Sequence, residues 1–94
     1  MSELDGTWNV ERVSGFLPPL LGVRKQIDGD RGRTTVGPVR VPFDVVGREL
    51  RYVGPFRGFV DVLEPAGADW AGRALYRGRE YGRFRLEART VSSR

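Results

Sequence analysis

Turn signals interrupt this sequence so often that long helices have no room to form. Breaks that contain glycine or proline, such as residues 28–32 and 54–58, are separated by segments in which apolar and polar residues alternate. The breaks recur about every 8 to 12 residues, which is typical of short strands in an all-β domain. Links this short force neighbouring strands to run antiparallel, because a parallel crossover needs about a dozen residues. The pattern therefore predicts a β meander.

Eight strands are predicted, over residues 6–14, 22–28, 32–37, 39–46, 48–53, 57–64, 69–77 and 80–89. In the clearest of them Val39, Val41, Phe43 and Val45 share one face, while Pro42 implies an edge, a bulge or a strand end. Eight strands leave two exposed edges unless the sheet closes, so we predict one all-β domain over residues 1–94, a small antiparallel up-and-down barrel. The alternative is a half-barrel or sandwich completed by a second copy.

Composition excludes much of enzyme chemistry. The chain has no cysteine and no histidine, which removes thiol nucleophiles, disulfides, zinc sites of the Cys/His kind and an imidazole base. The 12 acidic residues are scattered, and Asp44, Asp61, Tyr52 and Tyr76 stand at no diagnostic spacing. We expect no catalytic site, no metal and no cofactor. A barrel isomerase or cyclase is a third alternative, after the two binding functions described at the end of this section.

Charge placement bears on the partners. The net charge is +4, and the excess lies in residues 48–94, which hold ten basic and six acidic side chains. In the last strand Arg83 and Arg85 fall on one face and Phe84 and Leu86 on the other. Such an arginine row could follow a phosphate backbone, but a solvated barrel exterior is its commoner meaning, so we expect no nucleic-acid partner.

The N-terminal residues have neither a basic start nor an apolar segment, and no apolar run approaches the ~20 residues that span a bilayer. The sequence thus predicts a cytoplasmic protein with no membrane partner.

The first strand opens Gly6-Thr7-Trp8, which resembles the Gly-x-Trp start of lipocalins and their calycin relatives. The resemblance implies an eight-stranded barrel in which Trp8 closes the base and a small hydrophobic ligand occupies the mouth. Because this chain is far shorter than a typical lipocalin, it predicts a miniature calycin-like barrel.

The expected ligand-lining side chains are mostly aromatic and come from the strands and the first loop: Trp8, Phe16, Leu17, Phe43, Phe59 and Phe84. The loop is unusually apolar, and Phe16, Leu17, Leu20 and Leu21 predict a lid over the mouth, with a plug of ordinary core as the alternative.

Alternation also places charged residues on apolar faces. Arg12 shares a face with Trp8, Lys25 with Ile27, and Asp61 with Leu63. Charges inside a barrel need partners, so Asp61 is expected to pair with Arg73, and Arg12 or Arg73 to meet an anionic ligand end. The alternative is that these charges lie near strand ends and reach water.

The position of Arg73 depends on the last hairpin. With Gly78 as the first central residue of a two-residue turn, Arg77 faces Glu80 and Arg73 faces Phe84 on the inner face, leaving Trp70 outside. A three-residue loop would instead turn Trp70, Gly72, Ala74 and Tyr76 inward and place Arg73 on the exterior. We predict the two-residue turn.

Two functions remain. The first is a binding protein for a small hydrophobic or amphipathic molecule held inside the barrel. The second is a protein-interaction module whose barrel is filled and which acts through the apolar loop or the arginine-rich face. They differ in whether an internal pocket exists. The apolar segment 16–21 also predicts a homodimer, because a monomer rarely tolerates such a patch.

Overall fold

A computed structural model describes residues 3–16 and 22–88. Its strands are β1 (Gly6–Gly15), β2 (Val23–Asp28), β3 (Arg31–Val36), β4 (Val39–Val46), β5 (Glu49–Tyr52), β6 (Phe59–Ala66), β7 (Asp69–Tyr76) and β8 (Arg79–Ala88), with a 3-10 turn at Gly54–Phe56. Each strand pairs antiparallel with the next, and β8 pairs with β1 to close the barrel. The predicted all-β, eight-stranded, up-and-down barrel is confirmed.

The strand bounds agree with the prediction to within about two residues. The largest shift is in β6, which begins at Phe59 rather than residue 57 because the 3-10 turn and Gly58, at φ 101°, occupy the link before it. Pro42 is accommodated in β4 because the pairing with β5 covers only Phe43 to Val46. Pro42 lies just outside that pairing, so its side toward β5 has no partner strand. A missing amide donor costs nothing at such a local edge.

The barrel has two ends of different character. The N-terminal segment and the turns after β2, β4 and β6 lie at one end, which we call the base end. The links after β1, β3, β5 and β7 lie at the other, which we call the rim end. Because the strands run up and down in order, successive links alternate between the two ends. Side chains next to these links can therefore be assigned to an end directly.

The N-terminal segment covers the base end. Leu4 is fully buried, and its carbonyl accepts a hydrogen bond from Trp8 Nε1 at 2.8 Å. Asp5 accepts from the amide of Gly29 in the β2–β3 turn, also at 2.8 Å. Trp8 is only 7% exposed, so the expected burial of this side chain at one end of the barrel is confirmed.

The centre of the barrel is packed onto backbone. A Cβ at Gly72 would lie 2.3 Å from the ring of Phe84, and one at Gly32 would lie 2.5 Å from the ring of Phe43. Each ring thus lies directly over the glycine with which it pairs on the neighbouring strand. The interior at this level is therefore occupied by side chains.

The predicted β7–β8 register is wrong. Tyr76 pairs with Arg79, so the two central turn residues are Arg77 and Gly78, both at positive φ, as a type I′ turn requires. A register shift after Ala74 then aligns Ala74 with Gly82. The turn has two residues, as expected, but it is centred one residue earlier.

This register turns Trp70, Gly72 and Ala74 inward, opposite Leu86, Phe84 and Gly82. Burying the indole of Trp70 gains apolar area that the predicted register would have left outside. Hydrophobic burial thus outweighs the turn preference on which the prediction rested.

The described residues contain no helix long and apolar enough to cross a membrane.

Candidate functional site

A buried polar cluster lies in the middle of the barrel and joins side chains from four strands. Lys25 of β2 donates hydrogen bonds to Thr34 Oγ1 of β3 at 2.8 Å and to Tyr52 OH of β5 at 2.6 Å. Its Nζ also lies 3.0 Å from Asp61 Oδ2 of β6. Tyr52 donates to Asp61 at 3.1 Å, and 2.7 Å separates the hydroxyl oxygens of Thr34 and Tyr52. We call Lys25, Thr34, Tyr52 and Asp61 the central network.

The hydrogen-bonding capacity of Lys25 is fully used. An ammonium group has three N–H donors, and here three oxygens accept hydrogen bonds from them. Since Tyr52 spends its single O–H on Asp61, the hydroxyl of Thr34 must donate to Tyr52. The Nζ of Lys25 also lies 5.4 to 5.7 Å from the ring centroids of Phe43, Tyr52 and Phe84. The network is complete and has no donor to offer a ligand.

Electrostatics hold the network in its charged state. Burial alone would lower the pKa of Lys25, but the charge of Asp61 and the interactions with Tyr52 outweigh it and raise the pKa above its ordinary value. Burial is the main reason that the pKa of Tyr52 is raised. Lys25 therefore stays protonated and Tyr52 neutral near pH 7, which excludes the amine as a nucleophile and the phenol as a base.

The partner of Asp61 differs from the expectation. Asp61 is inward and 6% exposed, but it pairs with Lys25 and not with Arg73. Alternation placed Lys25 on the inner face, yet neither Lys25 nor Tyr52 was among the expected ligand-binding residues. β2 and β6 are not neighbours, so strand periodicity carries no signal for a contact across the barrel.

Arg73 faces outward, contrary to the prediction. It pairs with Arg83 across the β7–β8 ladder, and its Nη1 lies 4.0 Å from Glu80. Its Nε is buried and has no hydrogen-bond partner among the described residues. The register shift after Ala74 moved it to the other face, because a two-residue turn placed one position earlier would by itself have left Arg73 facing inward. The interior thereby loses the arginine expected to anchor an anionic ligand.

The structure separates the expected lining residues into three groups. Trp8, Phe43 and Phe84 are buried inside the barrel, and Phe59 is half-buried near the rim end. Phe16 is 92% exposed.

Arg12 is exposed near the end of β1, where its guanidinium donates to the carbonyl of Gly15 at 2.7 Å. Of the two alternatives for this arginine, the one that reaches solvent is correct. Leu17, Leu20 and Leu21 lie outside the described residues, and the predicted lid falls mostly on them.

Exposed hydrophobic side chains are concentrated at the rim end. Among the described residues the large ones are Val13, Phe16, Val36, Val39, Val46, Val53, Phe56 and Tyr76, and all except Val46 lie in a rim-end link or within three residues of one. We call these seven the apolar rim. A monomer seldom gathers exposed apolar groups in this way unless the surface binds something.

Aromatic rings connect the apolar rim to the interior. The ring of Phe59 lies 4.5 Å from that of Tyr76, 6.0 Å from that of Tyr81 and 6.4 Å from that of Phe56, measured between centroids. Burial and the charge of Asp61 raise the pKa of Tyr81, which therefore stays neutral. This aromatic cluster lies between the apolar rim and the central network.

Charge is sorted along the same axis. Apart from Arg51, which pairs with Glu49, five exposed arginines lie within two residues of rim-end links: Arg24, Arg40, Arg57, Arg77 and Arg79. Within the described ranges none of the five forms an ion pair, whereas Arg73 and Arg83 share Glu80. We call these five the rim arginines.

Acidic side chains flank the base end instead, together with Arg31 and Arg48: Glu3, Asp5, Asp28, Asp30, Glu49 and Asp69. Among the described residues the rim end, despite Glu80, is therefore basic and the base end is acidic.

Comparison with protein-family models, curated proteins and solved structures finds no match to this chain. The candidate site is therefore defined by the geometry of the barrel alone, and the calycin resemblance stays a prediction.

Proposed function

We propose that this barrel is a binding module that takes an anionic amphipathic molecule at its rim end. The observation that carries the proposal is the coincidence of the apolar rim and the rim arginines at one end. An amphipathic anion matches both, because its hydrocarbon part contacts the valine and aromatic side chains while its charged group meets guanidinium groups.

The filled interior supports this location over a site inside the barrel. A ligand at the centre would have to displace the rings of Phe43 and Phe84, and it would find every donor of Lys25 already used. The proposal keeps the ligand chemistry expected from the sequence and moves it to the surface through which a filled-barrel module would act. A calycin-like, cytoplasmic protein remains part of the proposal.

Binding of a twelve-carbon anion tests the proposal. Dodecyl phosphate, used below its critical micelle concentration in calorimetry, is expected to bind saturably, whereas dodecyl maltoside, with the same chain and no charge, binds at least about tenfold more weakly. Equal affinity for the two probes would contradict a role for the arginines.

Two variants of equal charge locate the site. Arg57→Gln with Arg79→Gln removes two rim arginines and is expected to weaken dodecyl phosphate about tenfold or more. Arg31→Gln with Arg33→Gln removes the same charge near the base end and is expected to leave affinity unchanged. If the two pairs weaken binding equally, the probe responds to net charge and the assigned site is wrong.

A further inference from the structure

We infer that the natural source of this anionic amphipathic chemistry is the surface of an anionic lipid bilayer, onto which the barrel docks with its rim end. The inference rests on the proposed function and names its partner. It also replaces the sequence-based expectation of no membrane partner, which considered only spanning segments.

The first argument is the distribution of the apolar rim. Its side chains lie in or near all four rim-end links: Val13 and Phe16, Val36 and Val39, Val53 and Phe56, and Tyr76. A single small molecule can contact one or two links at a time. An extended surface contacts all of them together, as peripheral proteins do when they insert apolar side chains at the headgroup boundary.

The second argument is the placement of Phe16. Its side chain is 92% exposed, yet its amide donates to the carbonyl of Tyr81 at 2.7 Å, which ties the backbone to β8. The phenyl ring is thus presented to solvent from an anchored position. An aromatic ring held this way can enter a lipid interface without the cost of ordering a loop.

The third argument is charge complementarity. Arginines next to an anionic leaflet each strengthen association by about fivefold at low ionic strength, and five of them surround the apolar rim. The acidic side chains at the base end are repelled by the same surface. Attraction at one end and repulsion at the other orient the barrel with its rim end toward the lipid.

A second copy of the chain fits this surface poorly. Two rim ends brought face to face would place arginines against arginines, which costs affinity. Charge complementarity therefore favours an anionic partner over a symmetric contact between rim ends.

Vesicle binding with a depth-sensitive reporter tests the inference. Vesicles of phosphatidylcholine with 30% phosphatidylglycerol, about a third anionic lipid, are compared with phosphatidylcholine alone, both with lipids brominated on the acyl chains. The native indoles Trp8 and Trp70 lie at the base end, so wild-type protein reports that end. The F16W variant adds an indole at the rim end.

The expected result is binding to the anionic vesicles only, weakened by salt, with the F16W indole quenched by brominated lipid and the native indoles unaffected. Arg57→Gln with Arg79→Gln lowers the partition coefficient about 25-fold, two fivefold factors, while Arg31→Gln with Arg33→Gln leaves it unchanged. The variant F16S, which keeps the backbone contact, is also expected to reduce binding. Circular dichroism confirms that each variant is folded.

Four results would overturn the inference. Quenching of the native indoles equal to that of the F16W indole would mean that the wrong end faces the lipid. Binding of polyglutamate as strong as binding of vesicles would mean that charge alone suffices and the partner need not be a lipid. Saturable binding of monomeric dodecyl phosphate without vesicle binding would show that the partner is not a membrane, and it would leave the proposed function intact. Failure of both probes would remove the two together.

Discussion

At the scale of single residues, the central network decides what the barrel interior can do. Lys25 is 4% exposed, and a lone ammonium group buried this deeply would be too costly to keep. Asp61, Tyr52 and Thr34 offset that cost because their oxygens accept hydrogen bonds from all three N–H groups of the ammonium. The network leaves Lys25 no free donor for a ligand, so we infer that the interior fixes the barrel's structure and that binding takes place at the surface.

Removing one partner of the buried ion pair should destabilise the barrel far more than removing both. Lys25→Met alone leaves Asp61 charged and unmatched, and should lower the free energy of unfolding by about 3 to 5 kcal/mol. Adding Asp61→Leu removes the orphaned charge and should recover much of that loss. Urea unfolding of both single variants and the double variant measures the coupling, and additive losses would show that the pair is not coupled.

Alkaline conditions should weaken the fold through the same residues. The folded state raises the pKa of Lys25 above 10.5 and that of Tyr52 above 10.0, so the unfolded chain loses these protons first as the pH rises. The stability that the two groups contribute is complete below about pH 10 and is lost above it.

Urea unfolding at pH 8, 9, 10 and 11 checks this expectation. The Lys25→Met, Asp61→Leu variant lacks the lysine and should show a shallower decline. A wild-type stability that stays level or rises from pH 9 to 11 would contradict the electrostatic account of the network.

At the scale of elements, the number and order of strands could be predicted because each link carries a glycine or proline signal. The register of β7 against β8 could not. Turn chemistry at Gly78 left a two-residue turn and a three-residue loop as alternatives, whereas the structure combines a two-residue turn one position earlier with a register shift after Ala74 that reverses which face the rest of β7 presents inward. Burial of Trp70 favours the shifted register, and that information belongs to the closed barrel rather than to the hairpin.

Gly72 tests whether the packed interior is needed for stability. A methyl group there would meet the ring of Phe84 at 2.3 Å, so Gly72→Ala should lower the free energy of unfolding by about 1 to 3 kcal/mol. Combining it with Phe84→Leu, which makes room, should cost less than the sum of the two single changes. The exposed neighbour change Ala71→Ser serves as the control. A neutral Gly72→Ala would show that the interior has spare room for a ligand.

At the scale of the whole molecule, the rim end and base end differ in both hydrophobicity and charge. The sequence contained this sorting, since in an up-and-down meander the odd links meet at one end and the even links at the other. For example, Arg40 follows the third link, β3–β4, at the rim end, and Asp30 lies in the second link, β2–β3, at the base end. The ligand was expected inside the barrel, so the predicted site residues came mainly from the inner faces of the strands. The rim arginines lie near the links and were therefore missed.

The homodimer stays a prediction, and the charge sorting sets its conditions. Association through two apolar rims would bring rim arginines together, so it should strengthen as salt screens their repulsion. Sedimentation equilibrium in ~50 mM and ~500 mM sodium chloride, which span weak and strong screening, measures the change. A dimer that is tightest at low salt would place the contact elsewhere, for example between a rim end and a base end.

The central claim is that the rim end binds and the interior does not. Backbone amide chemical shifts, followed by ¹H–¹⁵N correlation spectra during titration with dodecyl phosphate, test it most directly. We expect the largest changes in residues 15–16, 36–39, 53–59 and 76–79, with the turns of the base end unchanged. Largest changes at Lys25, Thr34, Tyr52 and Asp61 would contradict the account, because they would mean that the ligand enters the barrel and displaces the central network.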